Sequence, residues 1–212
     1  ICACLVGSEM CIRDRIGFTL IMTYISFNQI NRVDAFFQTY VEQLNIYHLK
    51  QVMILITQLA NPVVVIILVL LIACVMWLKG HKLDAGWVIL TLFVSDAAAY
   101  VIKHVVGRVR PVGQMIFDTG FSFPSIHTIS AVIVVLIIIS LVKHHKKSVW
   151  IVGLIWIVIV ALSRIYLKNH FPTDTLGAIF LGFTIWSFMS YFHQTMIKKN
   201  FSKTFLNNIL PK

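Results

Sequence analysis

Apolar runs follow one another along this chain, and their length decides which solvent it can fold in. Residues 53–78, 85–106, 126–142, 149–167 and 175–197 each approach the ~20 mostly apolar residues that a helix needs to cross a bilayer. With 58% hydrophobic and 12% charged side chains in 212 residues, the composition lies outside the range of water-soluble domains. The expected fold is all-α, a polytopic membrane helix bundle.

Residues 16–30 are also apolar but too short to span. They fit the second half of a first helix, giving about six transmembrane helices with the first truncated; a short interfacial helix is the alternative. Upstream, the chain begins with Ile1, and residues 4–15, CLVGSEMCIRDR, resemble translated sequencing-adapter read-through. Residues 1–15 are therefore expected to be a non-native tail, leaving one domain over 16–212. Cys2, Cys4 and Cys11 have no fourth ligand at suitable spacing, which argues against zinc, and Cys74 lies inside an apolar run.

Between the first two spans, Val33, Phe36, Phe37, Tyr40, Val41 and Leu44 recur at helical spacing, as in an amphipathic segment at the membrane surface. The pair Asn61-Pro62 interrupts the next window and predicts a kink there. Orientation follows the lysines and arginines of short loops. Lys79 and Lys82, then Lys143, Lys146 and Lys147, then Lys198, Lys199 and Lys203 mark one side as cytoplasmic. Arg32, Lys50, Lys103, Arg108, Arg110, Arg164 and Lys168 fall on the other side, which is extracytoplasmic once Lys103, Arg110 and Arg164 are set aside as site residues.

Those site residues belong to three polar islands: 103–111 (KHVVGRVRP), 124–127 (PSIH) and 163–174 (SRIYLKNHFPTD). Charged groups at the ends of membrane spans are costly and usually functional. All three islands fall on one side of the predicted bundle, so distant segments can converge on one pocket. Lys103 and Arg110 offer an ammonium and a planar donor fork suited to phosphate oxygens. Ser125 is a candidate N-cap for the helix that follows, where free backbone N–H groups face an anion. His127 is a candidate proton donor. His170 and Asp174 are one helical turn apart, so the carboxylate can orient the imidazole and leave its other nitrogen free to attack.

In order and spacing the islands resemble the signature of the phosphatidic acid phosphatase type 2 superfamily. Its pattern is Lys, six residues, Arg-Pro; then Pro-Ser-Gly-His; then Ser-Arg, five residues, His, three residues, Asp. Lys103, Arg110 and Pro111 match the first part, Pro124, Ser125 and His127 the second, and Ser163, Arg164, His170 and Asp174 the third. The resemblance implies that His170 attacks phosphorus, Asp174 stabilises the phosphohistidine and His127 protonates the leaving oxygen. Lys103, Arg110, Ser125, Arg164 and the backbone of Ile126 would hold the phosphate oxygens. It implies no metal or other cofactor, because fixed cations and N–H groups stabilise the charge. Ile126 departs from the pattern, standing where glycine is usual; a β-branched residue excludes a positive φ and narrows the approach.

The implied function is a lipid phosphatase in the cell membrane, bacterial in its compact form, with a lipid phosphate as substrate and membrane lipids as its surroundings. Undecaprenyl diphosphate, phosphatidylglycerophosphate and phosphatidic acid are the leading substrates by resemblance. A lipid phosphotransferase using the same intermediate is one alternative, and a non-catalytic anion-binding or transport protein is another. The net charge of +10 does not indicate nucleic acid, since the cations sit between apolar stretches and not along one polar face. Arg108 and Lys168 are expected as exposed loop cations, His104 as solvated, and Tyr166 and Phe171 as borders of the lipid tail. Asp96 either tunes Lys103 or packs as a hydrogen-bonded core group, His144 and His145 lack the partners of a metal site, and the oligomeric state stays open.

Overall fold

A computed structural model of the chain describes residues 2–27, 32–43, 46–142 and 144–209. The side chains of Cys2, Cys4, Cys11, Leu44, Lys143, Lys198, Lys199 and Lys203 lie outside the described residues. Among the described residues all regular structure is helical: α1 Cys2–Phe27, α2 Arg32–Gln43, α3 Tyr47–Leu59, α4 Pro62–Leu78, α5 Lys82–Val106, α6 Ile126–Leu141, α7 Lys146–Tyr166 and α8 Pro172–Ile209. Among the described residues α5, α7 and residues 172–197 of α8 are long and apolar enough to cross a membrane, and α3 with α4 makes a fourth such unit if the bent pair is one crossing.

The centre of the bundle is α6. Its 16 residues are mostly apolar, with no single apolar face, and 11 of them are buried, as expected for a helix hydrophobic on most sides. It packs against α4, α5, α7 and α8. It rises ~24 Å, less than the ~30 Å of a hydrocarbon core. The buried stretch 122–125 leads into it in non-helical backbone, which is why the expected window at 126–142 is shorter than a full span. Close approach of α7 to α6 depends on Gly153, where a Cβ would lie 2.4 Å from Val135.

The interruption at Asn61-Pro62 is a full break and not a kink. Asn61 Oδ1 accepts the Val63 N–H at 2.9 Å, Pro62 takes the first helical position, and α3 and α4 diverge by 42°. The divergence lets α3 lie against α7, with Thr57 and Ser163 hydroxyls 3.0 Å apart, while α4 packs on α5 and α6.

The first helix is continuous from Cys2 to Phe27; residues 2–15 contain no proline to stop it. It packs along α8, with Ile25 fully buried and Phe18 stacked on Phe123. In α2 the apolar side chains Val33, Phe36 and Tyr40 point outward, whereas Asp34 and Val41 are buried. The segment is amphipathic as expected, but its apolar face looks away from the protein and a carboxylate faces in.

Candidate active site

The site forms where three connections meet: the end of α5 with the loop after it, the start of α6, and the turn from α7 into α8. Gly107 ends α5 in the left-handed region, φ 60°, with its N–H bonded to the Lys103 carbonyl. That conformation suits glycine. It leaves Lys103 in the last helical turn, buried, its Nζ donating to the Phe121 carbonyl. The loop 107–125 then folds back over the α7–α8 turn, where the Met115 N–H bonds to the Leu167 carbonyl at 3.0 Å and Asn169 Nδ2 donates to the Ile116 carbonyl at 2.9 Å.

The loop fixes Arg110. Its Nε donates to the Gly120 carbonyl at 2.9 Å, its Nη2 to the Thr119 carbonyl at 3.1 Å and its Nη1 to the Asn169 carbonyl at 2.8 Å. The same Nη1 lies 3.4 Å from His170 Nε2. Arg164, in the last turn of α7, is 2% exposed and has an unused donor at Nε. Its Nη2 donates to Asp118 Oδ2 at 2.7 Å, and the same oxygen lies 3.1 Å from Arg110 Nη1. One carboxylate oxygen thus occupies the point where the two guanidinium groups converge. Burial alone would raise the Asp118 pKa, but Arg110 and Arg164 more than offset it and hold the group below the usual carboxylate range.

His170 is 1% exposed. Burial first, then Arg164, Arg110 and Lys103, hold its imidazole well below the usual histidine range, so the ring is neutral. Its Nδ1 lies 3.6 Å from Asp174 Oδ2. This is close enough for electrostatic pairing but longer than a hydrogen bond, a looseness common before substrate arrives. Asp174, fully buried at the start of α8, accepts the Phe171 N–H at 2.8 Å on Oδ2 and Arg108 Nη1 on Oδ1. The Nε2 lone pair is therefore presented to the cationic cluster and Nδ1 to the carboxylate, an arrangement suited to nucleophilic attack on a bound anion.

Ser125 stands at the N-cap of α6, but its hydroxyl makes no cap bond; it accepts from Thr128 Oγ1 at 3.1 Å. Ile126 opens the helix in ordinary helical backbone and is absent from the residues with positive φ, so the position needs no glycine conformation. His127 follows, half-buried, and interacts electrostatically with Arg164, Asp118, Arg110 and Lys103. All eight candidate site residues, Lys103, Arg110, Ser125, Ile126, His127, Arg164, His170 and Asp174, come from the segments that meet here.

Several expectations fail for one reason: these particular side chains turn into the protein although their loops reach the surface. Arg108 is 0% exposed, joined to Asp174, to Thr173 Oγ1 at 2.8 Å and to Asp34. Lys168 is buried as well. Phe171 packs beneath the Arg108 guanidinium, 4.2 Å from ring centroid to Cζ, and the buried Tyr166 hydroxyl lies 3.3 Å from the Ile46 carbonyl, so neither borders a tail. His104 is exposed, its ring tilted against Tyr100, and Asp96 Oδ1 has no hydrogen-bond partner. Asp34 and Asp118 were not found by motif. A signal was present: the chain has only eight acidic residues, and Asp34, Asp118 and Asp174 all meet cations here.

The profile of the PAP2 superfamily matches residues 84–198. The chain belongs to the PAP2 superfamily. It is 34% identical over 155 residues to phosphatidylglycerophosphatase B of Bacillus subtilis, covering 69% of this chain and 76% of that one. It is 33% identical over 112 residues to undecaprenyl-diphosphatase of Sulfolobus acidocaldarius, covering 48% and 52%. A crystal structure of a transmembrane PAP2 type phosphatidylglycerolphosphate phosphatase from Bacillus subtilis superposes with a TM-score of 0.80 at 27% identity, covering 87% of this chain and 96% of that one. This PAP2 protein thus shares with that relative the helix arrangement that brings the three islands together.

Proposed function

We propose that this PAP2 protein is an integral membrane phosphatase that hydrolyses a lipid phosphate or diphosphate ester through a phosphohistidine at His170. The reading is carried by one observation: a buried imidazole whose Nε2 lies 3.4 Å from an arginine that converges with a second arginine on one anion position. In the first step a bond forms from His170 Nε2 to phosphorus and the bond from phosphorus to the leaving oxygen breaks. A proton from His127 goes to that oxygen. Asp174 stabilises the positive charge that appears on the ring, as the carboxylate of a triad does. In the second step water attacks phosphorus, His127 takes its proton, and His170 and inorganic phosphate are released.

Arg110, Arg164, Lys103 and the N–H groups at the start of α6 carry the charge-stabilising role that a metal ion fills in other phosphatases. Phosphate enters by displacing the Asp118 carboxylate from between Arg110 and Arg164. The relatives named for phosphatidylglycerophosphate and undecaprenyl diphosphate make these two lipids the first substrates to test, with phosphatidic acid beside them. The loop lysines argue for a pocket on the extracytoplasmic side of a bacterial cell membrane.

The test is phosphate release from each lipid by the purified protein in detergent with chelator present. Release that survives chelation and disappears in His170→Ala is expected. Equal release by that variant would refute the assignment of the nucleophile.

A further inference from the structure

Behind the reacting histidine lies a second layer of charge that no part of the phosphate chemistry uses. Arg108 and Asp34 are both 0% exposed. Arg108 Nη2 donates to Asp34 Oδ2, while its Nη1 donates to Asp174 Oδ1 and to Thr173 Oγ1. Thr173 closes the ring, its hydroxyl donating to Asp34 Oδ2 at 2.8 Å and its N–H to Asp34 Oδ1 at 3.2 Å. The ring joins α2, the loop after α5 and the first turn of α8.

We propose that Asp34 is a positioning residue for the phosphotransfer step, acting through Arg108 to fix the Asp174 carboxylate and to leave it the negative charge that His170 needs. The inference rests on His170 being the nucleophile.

The argument is electrostatic as well as geometric. A guanidinium paired with Asp174 alone would neutralise that carboxylate and weaken its pull on the ring when positive charge appears there. With two carboxylates sharing one guanidinium, the group carries a net charge of about −1, available to the imidazolium. Geometry adds the second half. Asp174 has its Oδ1 held by Arg108 and its Oδ2 by the Phe171 N–H, so it cannot rotate away from His170 Nδ1. Arg108 cannot move either, since Phe171 covers its face and Asp34 holds its far nitrogen. Asp34 supplies this from the α2 helix, whose Val33, Phe36 and Tyr40 are exposed. The seating of that helix is thereby tied to the dyad.

The test uses the full chain in detergent and short-chain phosphatidic acid as probe, with kcat and KM measured separately. Asp34→Asn keeps the side-chain shape and an oxygen acceptor but removes the charge. It is expected to lower kcat roughly 10–100-fold, the range seen when partners behind a functional ligand are removed, with KM within about threefold. Because Asp34→Asn takes one opposite charge from a buried guanidinium, which disfavours folding, the double variant Asp34→Asn/Arg108→Gln serves beside it. It has no unpaired buried cation, and its kcat per folded molecule is expected to fall at least as far. Adding Asp34→Asn to Arg108→Gln should cost little more than Arg108→Gln alone, since the two act as one unit.

A folded double variant with kcat within about twofold of wild type, or a loss that appears in KM alone, would overturn the proposal. In both cases wild type remains active and His170→Ala inactive, which separates this failure from failure of the nucleophile assignment. If His170→Ala hydrolyses the probe as fast as wild type, both are overturned.

Discussion

Removal of the Asp118 charge tests the anion position without touching the nucleophile. Asp118 Oδ2 is 2.7 Å from Arg164 Nη2 and 3.1 Å from Arg110 Nη1, and its side chain is 32% exposed. Phosphate must displace this carboxylate to reach both arginines. Hydrogen bonds to charged groups contribute ~1.5–3 kcal/mol each, but solvent at a partly exposed acceptor screens part of that. Asn retains a weaker, neutral acceptor. A net gain of ~1.4 kcal/mol for the incoming anion is a reasonable estimate, corresponding to about tenfold in affinity. The assay is inhibition by orthovanadate, with inorganic phosphate as a second probe. Asp118→Asn is expected to tighten both about tenfold, and Arg164→Ala should remove most of that gain. An inhibition constant that is unchanged or weaker in Asp118→Asn would show that the carboxylate does not occupy the phosphate position.

Further perturbations address other parts of the structure. His127→Ala is expected to lower kcat by roughly two to four decades, measured as phosphate release from a lipid ester. His170 is buried and neutral in the fold, whereas in the unfolded chain it takes up a proton below about pH 6.5. Its contribution to stability is therefore complete above that pH and falls as pH drops, at up to ~1.4 kcal/mol per unit. Thermal unfolding in detergent from pH 8 to pH 5 should show a steeper loss for wild type than for His170→Gln, and parallel losses would contradict the burial. Gly153→Val places a Cβ where Val135 stands 2.4 Å away; overpacking of this kind destabilises by ~1–3 kcal/mol, read as a lower melting temperature. Ile126→Gly should leave kcat within about threefold, because the residue is already in ordinary helical backbone.

Some of this structure was legible in the residue order and some was not, and sequence distance separates the two. The apolar runs exposed the helices, and Asn61-Pro62 exposed an interruption though not its extent, because both are local properties of the chain. The islands marked Lys103, Arg110, His127, Arg164, His170 and Asp174 as candidates, and the fold brings their segments together; their spacing forms a recognisable pattern. Arg108 was misjudged, since its neighbours in sequence are loop residues and its partner Asp34 is 74 positions away. Asp34 itself sits among apolar residues of α2 and differs from a solvated acid only in which way the helix is turned. Tyr166 and Phe171 flank the third island in sequence, but the turn from α7 to α8 folds their rings inward. The concern over Ile126 came from residue chemistry alone; its φ part does not arise, because the residue adopts helical backbone.

The most direct measurement of the central claim is the covalent intermediate itself. Wild type and His127→Ala are mixed with a phosphorus-labelled lipid phosphate, quenched in alkaline detergent where phosphohistidine survives, and mapped by peptide mass spectrometry. A single acid-labile phosphate on His170, absent from His170→Ala and turned over by added time, is the expected result. Full phosphate release by wild type with no label on His170, or label on another residue, would contradict the mechanism.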